Sequence, residues 1–94
     1  MADLLITAVS VKGNCAAGIK VGDKIVLRGA NISLAESNKV CSFAFTSIYP
    51  AIFAARLGKD LKDLGLTERI VQCIDPGPPF SNGGCVLFEV KTIE

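Results

Sequence analysis

The 94-residue chain is expected to fold as an α+β domain, with a four-stranded, mainly antiparallel sheet and one principal helix packed on one face. Three observations predict it. Short apolar segments recur between Gly-, Pro- and Asn-containing punctuation. One region only, residues 43–57, reads as a substantial helix. The last two strand segments are joined by a Pro/Gly loop, not a helical crossover, which implies antiparallel pairing. The length corresponds to a single domain, 1–94.

The first strand is read at Leu4–Val11. Leu5, Thr7, Val9 and Val11 fall on one face and Leu4, Ile6 and Ala8 on the other, so both faces are mostly apolar and the strand belongs in the sheet centre. Lys12-Gly13-Asn14 ends it, and 15–21 is a loop. The second strand is Lys24–Arg28, stopped by Gly29-Ala30-Asn31. Ser33 and Glu36 have capping-box spacing and predict a short helical turn. Pro50 argues against an unbroken helix from 41 to 57, so the helix is expected to start near Thr46 or Ser47, with Pro50 in its first turn and Gly58 as its left-handed stop. A further helical turn is read at 60–64, before Gly65. Strands at Arg69–Ile74 and Cys85–Ile93 flank the turn-rich Asp75–Gly84 loop.

Half of the residues are hydrophobic and only 20 % are charged, against an ordinary share of about 25 %. A small sphere has little interior, so some apolar side chains are left over. A second copy of the chain, as a homodimer, or a small-molecule ligand is the expected cover. The net charge is +1 and the charges are scattered, which gives neither nucleic acid nor an acidic membrane an electrostatic footprint. The start Met1-Ala2-Asp3 carries an acid where a secretory signal carries Lys or Arg, and no run is long enough to span a membrane. The expectation is a cytoplasmic protein with reduced thiols.

The chain has no histidine. That removes Ser-His and Cys-His nucleophile pairs, a histidine base and histidine-ligated metal. The segment Gly13–Lys20 has the look of a phosphate loop, but Ile19 separates glycine from lysine and no Ser or Thr follows. Catalytic residues are therefore not assigned.

The remaining candidates each have two readings. Cys15, Cys41, Cys73 and Cys85 contain no C-x-x-C knuckle. Cys73 and Cys85 lie on apolar strands and read as core. Cys15 sits in a loop between glycines, and Cys41 precedes the aromatic helix, whose positive end favours a charged sulfur. Phe43, Phe45, Tyr49 and Phe53 either pack the core or line a pocket or a dimer seam. Arg56, seven residues after Tyr49, either clamps an acidic group or runs out to water. The Asp75–Gly84 loop either approaches a ligand or only connects two strands.

Several of these residues form a pattern: Cys15-Ala16-Ala17-Gly18-Ile19-Lys20-Val21-Gly22-Asp23, Cys41-Ser42-Phe43-Ala44-Phe45, Ile48-Tyr49-Pro50, Arg56-Leu57-Gly58, Cys73 before Asp75-Pro76, and Val86–Val90. The pattern covers nearly the whole chain and resembles a small prokaryotic single-domain family of about this length, with a C-x-x-G-x-K-V-G-D loop, a C-x-x-A-(W/F) segment and an I-Y-P helix start. The resemblance implies that Cys15, Cys41 and Cys73 belong to a shared set and implies no activity. The chain departs from it at Ala16, Ile19 and Phe43–Phe45, where proline, histidine and tryptophan are common.

The leading expectation is a non-catalytic protein that binds a small planar molecule, such as a pterin, flavin or nucleobase-like ring. Its pocket would be walled by Phe45, Tyr49 and Phe53, bordered by Cys15 and Cys41, with Arg56 on an acidic tail. The alternative is thiol chemistry, in which Cys15, Cys41 and Cys73 hold a metal or cycle between thiol and disulfide.

Overall fold

A computed structural model describes residues 2–93; Met1 and Glu94, the two ends of the expected domain, lie outside the described residues. The strands are β1 (Asp3–Gly13), β2 (Lys24–Arg28), β3 (Asn31–Ile32), β4 (Ile70–Gln72) and β5 (Gly84–Ile93), and the helix is α1 (Ser42–Arg56). A short 3-10 helix spans Leu61–Leu64. All neighbouring strands are antiparallel, in the order β3-β2-β1-β5-β4. One helix on one face of one sheet makes two layers, and the shortest extent is 19 Å.

Among the described residues the sheet thus has five strands, not four. The extra one, β3, lies where a stop was expected. Gly29 adopts φ 59°, a backbone that only glycine takes without strain, and lets the chain reverse so that Asn31 pairs with Arg28. Asp3 fixes the turn by accepting the Gly29 N–H at 2.7 Å.

β1 is central, as its two apolar faces imply. Leu4, Ile6 and Ala8 are fully buried toward α1. The register slips between Ala8 and Ser10, so Val9 forms a β-bulge and Val11 pairs with Val86 on the helix side of the sheet. Val11 therefore joins the core flank and not the Leu5 and Thr7 face, contrary to strict alternation.

Residues 33–38 form a strap along β2 that contains a single turn, closed by the Glu36 N–H on the Ser33 carbonyl at 3.3 Å, and does not continue into a helix. The Ser37 hydroxyl accepts the Val26 N–H at 2.9 Å and Asn38 accepts the Lys24 N–H at 2.9 Å. Glu36 is drawn away from the capping role by Arg28, which donates to its carboxylate at 2.7 and 3.0 Å. That guanidinium, with help from Ser33, holds the Glu36 carboxyl down at about 2.

α1 begins four or five residues earlier than expected and carries Pro50 inside it. The carbonyl that Pro50 leaves without a donor belongs to Thr46, and both residues are exposed, so water can satisfy it. At the other end, Lys59 N–H reaches the Ala54 carbonyl and Gly58 N–H the Ala55 carbonyl, the double closure of a Schellman motif. The face against the sheet is Ala44, Ile48, Ile52 and Ala55, all buried. All four are small or β-branched, which lets the helix lie close over the sheet.

Candidate functional site

The aromatic residues expected to wall a pocket lie on the outer flank of α1. Phe45 packs on the edge of the core, Tyr49 is exposed, and Phe53 keeps 54 % of its surface in solvent. Their rings form a ladder, with centroids 5.7 Å apart for Phe45–Tyr49 and 6.4 Å for Tyr49–Phe53. The ladder drifts outward because an i, i+4 series advances about 40° per step around a helix. The main core packing is done by the smaller residues one position away; Phe45 adds to the core edge and Phe43 lines the smaller concavity described below, while Phe45, Tyr49 and Phe53 wall neither concavity.

Arg56 stands at the end of the helix with only 9 % of its surface exposed, so it does not run out to water. It donates to the Tyr49 hydroxyl at 3.4 Å. It lines neither of the two concavities described below.

Two concavities flank the helix. The smaller lies at its N-terminal end and holds about 30 Å³, lined among others by Cys15, Cys41, Cys73 and Asp75. The structure thus brings Cys15, Cys41 and Cys73 to one cavity, from the 15–21 loop, the residue before α1 and the residue after β4. All four cysteines are free thiols. Among the described residues, however, no three Cys, Asp or Glu side chains are disposed to hold a metal ion. The metal form of the thiol reading is therefore not supported.

Cys73 is core, as expected. Its backbone N–H donates to the Val86 carbonyl at 3.0 Å, while its sulfur, in place of a carbonyl, accepts the Val86 N–H at 3.3 Å. That substitution ends β4 at Gln72. Cys85 is half-buried and lies against the Gln72 side chain, not in the core. Burial, and then the neighbouring Cys73, push its thiol above the ordinary range.

The Asp75–Gly84 loop closes on itself. The Asp75 carboxylate accepts the Gly77 N–H at 2.8 Å and the Ser81 hydroxyl, and these bonds, Ser81 first, hold its carboxyl below the usual range. The glycines serve this internal packing. A Cβ on Gly83 would collide with the Asp75 carboxylate, and one on Gly84 would lie 2.6 Å from the Cys15 amide nitrogen.

The larger concavity, about 460 Å³, was not anticipated from sequence. It opens where α1 ends, between the 58–61 connection and the last residues of β5. Ala55, Leu61 and Val90, all buried, form an apolar floor. Lys59, Asp60, Arg69, Lys91 and Thr92 line the rest. Arg69 binds the Asp60 carboxylate in bidentate fashion at 3.0 and 2.9 Å, which holds that carboxyl below its usual range. Arg69 also adopts φ 54°, a left-handed backbone unusual for a residue with a side chain. Its carbonyl accepts the Val90 N–H at 3.1 Å, so backbone and guanidinium are both fixed. The signal available in sequence was thin: Lys59, Asp60 and Arg69 look like ordinary surface charges until β5 brings Val90–Thr92 beside them.

No helix among the described residues is long and apolar enough to cross a membrane. Comparison with known proteins finds no matching family model, no matching curated protein and no matching solved structure.

Proposed function

We propose that this chain is a non-catalytic binding protein whose ligand, a small organic molecule with one acidic group, enters the cleft at the C-terminal end of α1. The observation that carries this is a 460 Å³ concavity with an apolar floor and a cationic rim. Its volume falls within the range of about 300–1,000 Å³ usual for ligand sites. Asp60 offsets Arg69, and Lys91 pairs with Glu89 at 3.6 Å, so Lys59 supplies one uncompensated positive charge at the rim. The last turn of a helix ordinarily repels an anion, because its carbonyls point outward. Here the carbonyls of Phe53, Ala54, Ala55 and Arg56 all accept N–H groups, which blunts that repulsion. Nuclear magnetic resonance titration with matched pairs of small carboxylates and their neutral amides tests the reading. The expected result is shifts at Ala55, Leu61, Lys59 and Val90 that are larger for the acids and lost in Lys59→Glu. No response at these positions to any compound would overturn it.

Self-association is part of the same proposal. Every exposed residue of α1 is uncharged, and Ser42–Ala55 contains no charged residue at all. A surface helix in a lone domain normally turns charged residues to water. Phe43, Tyr49, Phe53 and Leu57 are instead exposed there. An uncharged, apolar helix face suits a two-fold pairing with its own copy, which needs no complementary charge.

A further inference from the structure

We infer that Cys73 and Cys85 are a dithiol that closes to a disulfide across the base of the Asp75–Gly84 loop. Cys85 was the one cysteine outside the shared pattern, and the fold places it beside the most buried one. The Cys73 sulfur accepts the Val86 N–H at 3.3 Å and lies 3.7 Å from the Gly84 carbonyl, so it touches the backbone on both sides of Cys85. The Cys85 sulfur lies 3.8 Å from Oε1 of Gln72, the residue before Cys73. Cys73 stands opposite Val86, one register step from Cys85 on the adjacent strand.

Exposure sets the order of events. Cys73 is 6 % exposed and Cys85 is half-buried, so Cys85 meets an oxidant first. The Cys85 thiolate attacks one sulfur of a small disulfide and displaces one thiol. Cys73 then loses its proton, attacks the Cys85 sulfur of the mixed disulfide and displaces the second thiol. Two protein thiols are oxidised, and one small disulfide is reduced to two thiols that carry the protons. The product ties the three-residue edge strand β4 covalently to β5 and removes the Cys73 thiol from the Asp75 and Gly84 carbonyls, now 3.6 and 3.7 Å away.

The test treats the folded protein with oxidised glutathione, alkylates the remaining thiols and maps cross-linked peptides. The expected result is loss of two of the four thiols and a single Cys73–Cys85 link. The rate should climb as the pH is raised into the alkaline range, because attack requires the Cys85 thiolate, which burial disfavours. Cys85→Ala, a change at a half-buried site that leaves the core thiol in place, should abolish the intramolecular link. Cys15→Ala should not. Four alkylatable thiols after treatment, a link that involves Cys15 or Cys41, or a rate indifferent to pH would overturn the inference.

Discussion

Gly84 shows how much one hydrogen atom in place of a side chain decides here. It opens β5 opposite Gly13, and the start of the Cys15 loop passes directly over it. An added Cβ would lie 2.6 Å from the Cys15 nitrogen and 2.9 Å from the Lys12 carbonyl oxygen. Both obstacles are backbone, so neither can swing aside. Gly84→Ala should therefore destabilise the fold by about 2 kcal/mol, the usual cost of forced overpacking. Urea denaturation reads this directly, and an unchanged midpoint would contradict it. The loop's glycines were legible from sequence as places of close approach. What they approach was not, because the neighbour is the protein's own β1 end, contributed by residues some seventy positions earlier. The same holds for Asp75, whose role is to gather the Gly77 N–H and the Ser81 hydroxyl into a closed loop.

At the scale of elements, propensity placed the long strands well and the helix start poorly. β2 has the expected bounds, and β5 and β1 differ by a residue or two, because alternation and glycine stops act locally. The bulge at Val9 was invisible, since it is a matter of how β1 meets β5 and not of β1 alone. The two-residue β3 was missed because so short a strand exists only through its partner. Pro50 misled for a physical reason: its cost depends on whether the orphaned carbonyl is buried, and here Thr46 and Pro50 both face water. The helix accepts the missing bond because Ile48 and Ile52, fully buried on either side of Pro50, anchor it to the sheet. The cost is nevertheless real. Pro50→Ala should restore the bond to the Thr46 carbonyl and stabilise the protein by roughly 1–3 kcal/mol. The denaturation midpoint should rise with no change of slope. A fall would show that the proline ring packs usefully on the aromatic ladder.

For the molecule as a whole, the decisive quantity is apolar surface that one helix and one sheet cannot hide. The composition announced the excess; only the fold shows where it goes. Among the described residues, eleven large hydrophobic side chains remain exposed, including Phe43, Tyr49, Phe53 and Leu57 on or just beyond α1. The candidate cleft was not legible because it is made by the meeting of chain segments 55–61, 69 and 90–92, none of which carries a motif. The uncharged run Ser42–Ala55 was legible, and its outward face gives the excess a definite address. Sedimentation equilibrium at micromolar concentration should accordingly return twice the chain mass of 9.9 kDa. Phe53→Lys places a charge on a side chain that is 54 % exposed and outside the buried core cluster, so folding should be preserved. It should shift the equilibrium to the single chain, whereas Leu34→Lys, at a still more exposed position on the β2 strap, should leave the mass at twice the chain. If the unmodified protein sediments as one chain, or if the Phe53 variant stays paired while folded, the outer face of α1 is not the seam. The exposed ladder would then be an ordinary consequence of a sheet too small to cover all the helix presents.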